Sequence, residues 1–279
     1  MENKIKQGST HTFPLPPKNN NKPSFKKWIK YIWTGLAAVV LGIAFLFFAI
    51  SQGFLGDMPE VQELENPDIY VASEIISSDG VQLGKFEKEK TIPITYKDLP
   101  QHLIYALQAK EDERFREHSG IDMKSIARAI RYGGARGGGS TITQQLAKLL
   151  FTGNASQNKI QRAFQKLKEW VVAVSLEKRY TKEEIVTLYF NKFDFLHNAN
   201  GIELASKIYF NKSAKDLNLS EAATFVAMLE NPRRNNPIRN MDRAIKRRNV
   251  VLDQMLETGY IDQATHDKVV EEPITVDFH

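Results

Sequence analysis

The sequence of 279 residues contains no cysteine. Disulfides, thiolate metal sites and thiol nucleophiles are excluded with it. Histidine is scarce, and His118, which stands among carboxylates, has no second histidine at the spacing a zinc site uses. Nucleotide-binding signatures are missing as well. Five glycines crowd the start of GGARGGGSTITQQLAKLLF, residues 133 to 151, and glycine-rich turns that open helices do cradle phosphates. A Walker loop, however, places Lys directly after its last glycine, whereas Gly139 is followed by Ser140 and Thr141. No strand-like run leads in, and GxGxxG spacing is absent. The loop is not built for ATP or NAD. A basic excess in the body of the chain is lacking too. The overall charge is +5, but seven lysines against Glu2 within residues 1 to 30 supply +6, leaving −1 for the remainder. Basic charge confined to a tail is no signal for nucleic acid, and none is expected as a partner.

Charge of either sign is absent from YIWTGLAAVVLGIAFLFFAISQGFLG, residues 31 to 56. As a helix this run reaches about 39 Å at roughly 1.5 Å per residue, enough to cross a hydrocarbon core of about 30 Å with tilt. The reading is an uncleaved, single-pass transmembrane helix over residues 31 to 54. A signal peptide has a shorter apolar region ending in small residues, whereas this one continues through Phe45, Phe47 and Phe48. Lysines before the run and Asp57, Glu60, Glu63 and Glu65 after it orient the N-terminus to the cytoplasm. The remainder is then expected on the outer face of the inner (cytoplasmic) membrane.

Residues 1 to 30, with Pro14, Pro16, Pro17 and NNNK, read as a disordered cytoplasmic tail. Between 57 and 98 the β-prone pieces IYVASEII and TIPITY, with turn residues Ser77 to Gly80 after the first, predict a linker with short strands. From Leu99 onward the spacing is helical, so the fold class is mainly α. Ile160, Phe164, Leu167, Val171 and Val174 recur at three and four and predict the buried face of one helix. Thr181 with Glu184, and Asn218 with Glu221, predict capping boxes that open two more. The second of these stops before Pro232, and residues 241 to 257 form a further amphipathic helix closed by Gly259. The main domain is placed at 99 to 257, with 258 to 279 as a C-terminal extension.

Three stretches carry groups suited to chemistry. EDERFREHSGID, 111 to 122, concentrates carboxylates and His118; for an arbitrary charged stretch the ordinary reading is a solvated helix end with Asp122 as a cap. QKLKEWVVAVSLEKRY sets Lys166, Lys168 and Glu169 early in a helix, where charges are most often exposed. The glycine loop is harder to dismiss, because Ser140, Thr141, Thr143, Gln144 and Gln145 bring donors to a helix N-terminus, which suits an anion or a sugar.

The order of EDERFREHSGID, GGGSTITQQLAK, KLKE…SLEKRYTKEEIVTLYFN and GIELASKIYFNKSAKDLNLSEAATFVAMLENP resembles the five-motif signature of the peptidoglycan glycosyltransferases. The resemblance covers about residues 100 to 250 and implies a lysozyme-like domain that polymerises lipid II. Flanking IISSDGVQLGKF and RRNVVLDQMLETGYI further resemble the class A penicillin-binding proteins. That likeness implies that a transpeptidase domain follows in a longer chain, with a monofunctional transferase as the other reading. No KTG motif occurs within the sequence, and the SxxK matches at Ser156 and Ser175 fall inside the transferase region.

By the same resemblance Glu111 is the general base that takes a proton from the 4-hydroxyl of the acceptor lipid II. Glu169 is a second catalytic carboxylate, which orients the basic residues or helps place a divalent cation, Mg or Mn, at the pyrophosphate. Arg128, Lys148, Lys166 and Lys168 match the family's basic positions. Ser140, Thr141, Gln144 and Gln145 match its glycan and phosphate contacts, and Asp112, Phe115 and His118 of the first motif join the substrate-binding set. The α-linked donor gives a β-1,4 product by inversion, and undecaprenyl pyrophosphate leaves. Implied partners are lipid II, the growing glycan strand and the membrane, with other cell-wall synthesis proteins left open; moenomycin is the implied inhibitor. Gln165 departs from the family's usual Arg, and Arg162, one turn earlier, is the candidate substitute. The rival enzyme is a lytic transglycosylase or lysozyme-like hydrolase with Glu111 as acid, but a neutral glycan has no pyrophosphate for such cations to meet. A non-enzymatic scaffold would have no use for both glutamates.

Overall fold

Apolar residues at three- and four-residue spacing are a weak guide to which side of a helix is buried, and this chain uses both sides of some. The computed structural model describes residues 25–54, 73–78, 82–86, 91–132, 139–153 and 157–279. Residues 1–24 of the expected 1–30 tail and residues 133–138 of the glycine-rich loop lie outside them, while residues 25–30, expected to be disordered, are helical. The chain divides into two units, Met1–Phe48 and Ala49–His279.

Helix α1, Phe25–Ser51, accounts for the first unit's described part. Residues Lys26–Ser51 have a mean hydropathy of 2.3 at its most apolar window, and the helix is long and apolar enough to cross a membrane. Trp33, Leu41 and Phe45 all lie exposed. A helix apolar all round with its large side chains outward is one made for an apolar solvent.

In the second unit, β1 (Ser73–Ile76) pairs antiparallel with β2 (Gln82–Phe86), with an irregularity between Ile75 and Ile76. The second β-prone piece, TIPITY, forms no strand. Only Thr91 makes an isolated bridge, to Asn200. Pro93 can donate nothing to a ladder, and the Asn191 side chain replaces one, accepting from Ile94 N at 3.1 Å and donating to Ile94 O at 2.9 Å.

Helices follow almost without break. They are α2 (Gln101–Glu111), α3 (Met123–Arg131), α4 (Ile142–Ala147), α5 (Lys159–Glu177) and α6 (Lys182–Lys192). Beyond these lie α7 (Ile202–Phe210), α8 (Leu219–Glu230), α9 (Met241–Glu257) and α10 (Gln263–Glu271). The architecture is mainly α. Both capping boxes form as the spacing predicts, at Thr181 and Asn218, and α9 ends just before Gly259, whose φ of +74° suits a residue without Cβ. Helix α8 is the centre: Ser220 through Leu229 are all buried, and α2 and α9 pack on it and on each other.

Residues after Gly259 join the same core through Val269 and Ile274. Arg248, fully buried on α9, staples them there: its guanidinium donates to Val270 O at 2.9 Å, Glu272 O at 2.6 Å and Ser220 Oγ at 2.8 Å.

One expectation is reversed. The stripe of Ile160, Phe164, Leu167, Val171 and Val174 is not the buried face of α5, since Ile160 is 69% and Phe164 38% exposed. The buried positions are Glu169, Val172, Ala173 and Leu176, on the opposite side at about 100° per residue. That side meets α4 and carries a carboxylate for a reason local to the site below.

Replacing Arg248 with Ala is expected to destabilise the domain by about 3 kcal/mol, because it strands a hydroxyl and two carbonyls in the core at roughly 1–3 kcal/mol each before relaxation. Thermal unfolding in detergent checks this; a loss below about 1 kcal/mol would deny the staple its role.

Candidate active site

Glu111 is the last residue of α2, a helix fixed by the burial of Leu103, Ile104 and Leu107. The chain turns sharply at Asp112, so two adjacent carboxylates face different surroundings. Asp112 points inward, accepting from Ile142 N at 3.1 Å and pairing with His118 Nε2 at 3.0 Å. Glu111 stays half-buried and accepts from Gln145 Nε2 at 2.7 Å. Tyr189 OH in turn donates to Gln145 Oε1 at 2.9 Å. Burial raises the Glu111 pKa above the ordinary carboxylate value, opposed by the Gln145 hydrogen bond and Lys110.

Helix α4 is anchored at its start by side chains. Thr141 caps it, accepting from Gln144 N at 3.1 Å, and Thr141 Oγ1 and Gln144 Nε2 both donate to Gly120 O, at 2.8 and 3.2 Å. Gly120 has φ +89°, and a Cβ there would lie 2.9 Å from the Ala173 backbone. The first and second motifs and α5 therefore meet at a residue that must be glycine. Asp122 is the cap of α3, as the ordinary reading has it. Although burial opposes ionisation, hydrogen bonds from the Ser125 side chain and backbone and from Arg114 lower the Asp122 pKa to about 2.

Across the cleft, Lys166 Nζ on α5 donates to Ser140 Oγ and to Glu169 Oε2, each at 2.9 Å. Two cavities open here, of about 490 and 460 Å³, and both are lined by Glu111, Ser140, Gln145 and Glu230. The smaller gathers three cations, Lys148, Arg162 and Lys166, with Gln144, Gln165 and Glu169. Arg162, the candidate substitute for the missing Arg, thus lines the same cavity as Gln165 itself. The larger has six carboxylates, among them Glu113 and Glu257, against Lys110, Arg128 and Arg247. The cations are least offset in the smaller cavity.

Not every expected contact reaches a cavity. Phe115 is buried and His118 nearly so, and neither lines either cavity. Lys182 Nζ sits 4.2 Å above the Phe115 ring and donates to His118 O at 2.7 Å, so this pair packs behind the site. Lys168 also lines neither cavity, because residues two apart on a helix point about 200° apart and only Lys166 turns inward. Arg128 lines the larger cavity, 3.8 Å from Glu113, and not the smaller one that gathers Lys148, Arg162 and Lys166. Among the described residues no three His, Asp or Glu side chains converge as a metal site, and the Glu169 carboxylate is already met by Lys166; the residues do not build a resident site for a divalent cation. Three contributors had no sequence signal: Tyr189 looks like core, Glu230 like a helix end, and Gly120 like a turn.

The family model described as transglycosylase matches residues 79–256. The chain belongs to the transglycosylase family. Its similarity to penicillin-binding protein 1A is 36% identity over 256 residues for Pseudomonas aeruginosa, covering 90% of this chain and 30% of that protein. For Vibrio cholerae it is 36% over 261 residues, covering 91% and 30%, and for Escherichia coli 34% over 257 residues, covering 91% and 30%. The chain thus spans about three-tenths of the length of these relatives. The transglycosylase match takes in Glu111, the glycine loop, α4 and α5, and with them all the lining of the smaller cavity and all but Glu257 and Thr258 of the larger.

Gly120→Ala is expected to cost at least about 2 kcal/mol from the positive φ and the backbone clash, and to loosen α4 with it. Hydrogen exchange of the α4 amides should rise; a variant with parental stability and protection would remove Gly120 as the anchor.

Proposed function

We propose that this chain is a peptidoglycan glycosyltransferase that polymerises lipid II into β-1,4 glycan strands. The observation that carries the reading is the position of Glu111 on the wall shared by two cavities, only one of which concentrates Lys148, Arg162 and Lys166. A sugar hydroxyl is a poor nucleophile until a base takes its proton, a step worth roughly 10²- to 10⁴-fold. Glu111, its basicity raised by burial, suits that task. The acceptor lies on the larger-cavity side and its 4-oxygen attacks the anomeric carbon of the donor. The carbon–oxygen bond to pyrophosphate breaks as the new bond forms, so configuration inverts and no enzyme-bound glycan arises.

Charge then develops on the departing undecaprenyl pyrophosphate, and fixed cations stabilise it without reorganising. Lys148, Arg162 and Lys166 are assigned to this, with Ser140 and Glu169 holding the Lys166 ammonium in place. Asp112, His118 and Phe115 act as support behind the base. The N-terminus lies in the cytoplasm and the catalytic domain outside the inner membrane. Ile130 and Tyr132 lie exposed on and after α3, and exposed Leu149 beyond α4 gives the smaller cavity an apolar edge. A lipid-linked substrate enters across it from the bilayer.

Purified protein incubated with lipid II in detergent is expected to yield polymer that muramidase degrades; absence of such polymer overturns the reading. Glu111→Gln should lower the rate at least 100-fold with folding intact, and activity within tenfold of the parent would unseat Glu111 as base. Lys148→Ala is expected to weaken moenomycin binding at least tenfold, read by fluorescence titration. Unchanged affinity would move the pyrophosphate site elsewhere.

A further inference from the structure

Tyr189 is fully buried on α6, with Phe190 and Phe193 as ring neighbours at 5.9 and 6.0 Å. Its hydroxyl nonetheless reaches one polar partner, Gln145 Oε1. Gln145 spends its other end on Glu111 Oε2, and among the described residues nothing donates to Glu111 Oε1. Resting on the proposed polymerase reading, we propose that Tyr189, acting through Gln145, is a positioning residue that leaves one defined oxygen of Glu111 free to take the acceptor's proton.

The argument is one of donors and acceptors. An amide can be turned two ways, and at Gln145 the choice decides whether NH2 or a carbonyl oxygen faces the base. Burial, and then the charge of Glu111, hold the Tyr189 hydroxyl protonated well above its ordinary range. A buried O–H donor needs an acceptor, so Oε1 of Gln145 turns to Tyr189 and Nε2 must face Glu111. In that orientation Gln145 stabilises the ionised base and occupies Oε2. Without the hydroxyl the amide is free to turn its oxygen to Glu111, an arrangement tolerated only when the carboxyl is protonated.

The sign of the pH effect follows. The Gln145 hydrogen bond holds the Glu111 pKa below where burial would put it; losing the bond raises that pKa, and the acidic limb of kcat/KM moves to higher pH. Other charged groups acting on Glu111 are Lys110 and Asp112 beside it and Glu230 on α8. Lys148, Arg162, Lys166 and Glu169 face it across the smaller cavity, and Glu113, Asp122, Arg128, Arg247 and Glu257 across the larger. None of these is altered by Tyr189→Phe.

The test uses the full chain in detergent. Tyr189→Phe is expected to lower kcat/KM for lipid II polymerisation at least tenfold at pH 6.5, as an order of magnitude, with KM within twofold. Its acidic limb should lie at higher pH, and activity should return to within about threefold of the parent on the alkaline plateau. A loss equal at every pH, or a profile that does not move, overturns the proposal. Gln145→Met, which keeps the length and cannot donate, should move the limb in the same direction, and serves if Tyr189→Phe does not fold. Independently of activity, a 13C-glutamate NMR titration, with Glu111 assigned through Glu111→Gln, should show the Glu111 carboxyl titrating higher in both variants. If the carboxyl shifts but the parent makes no polymer, the positioning stands and the polymerase reading falls. An unshifted carboxyl sinks the positioning itself.

Discussion

The arrangement of the site depends on what the Asp112 carboxylate accepts. Held by Ile142 N and His118 Nε2, it ties the end of α2 to the start of α4, and a carboxylate at a helix start is electrostatically favourable. That tie brings Glu111 within 2.7 Å of Gln145, the fourth residue of α4. Asp112, although it borders the larger cavity, spends its oxygens on this tie, while its neighbour Glu111 lines both cavities. Two carboxylates side by side in sequence thereby divide between holding the scaffold and facing the substrate.

Around that tie, buried polar groups are matched in series. Thr141 and Gln144 share the Gly120 carbonyl, Thr143 Oγ1 donates to Glu177, and Lys182 bridges Glu177 and the His118 carbonyl. Such networks are rigid where satisfied; here His118 Nδ1 and Gln144 Oε1 are the members without a hydrogen-bond partner among the described residues. A rigid floor is what preorganised cations and a base require. Glu169 is part of the same economy of charge: placed on the inward side of α5, it is tolerated because Lys166 meets it.

Much of this was legible residue by residue. The capping boxes at Thr181 and Asn218, the Asp122 cap and the end of α9 all depend on groups within one or two turns of each other, so local spacing determines them; the apolar run marks α1, but the helix begins at Phe25, six residues before the run. Arg162, the candidate for the absent Arg at position 165, lines the smaller cavity together with Gln165. The errors have a common cause. Helix α5 is apolar on one side and mixed on the other, and periodicity reports that a stripe exists without saying what faces it; Ile160 and Phe164 turned out exposed. TIPITY has strand composition, but Pro93 and the Asn191 side chain intervene. Lys168 shares its motif with Lys166 and is carried to another side by the helical repeat.

The sequence by itself determined the chemical inventory: no thiol, an apolar helix long enough to span a membrane, a mainly α domain, and a set of carboxylates, amides and cations in family order. Tertiary structure alone decided which of them share a cavity, which of two adjacent acids meets Gln145, and that Tyr189, 78 positions from Glu111, orients the amide beside it. The physical reason is that capping and periodicity act over a few residues, whereas burial and hydrogen bonding between α2, α4, α5 and α6 exist only once the chain has closed on itself.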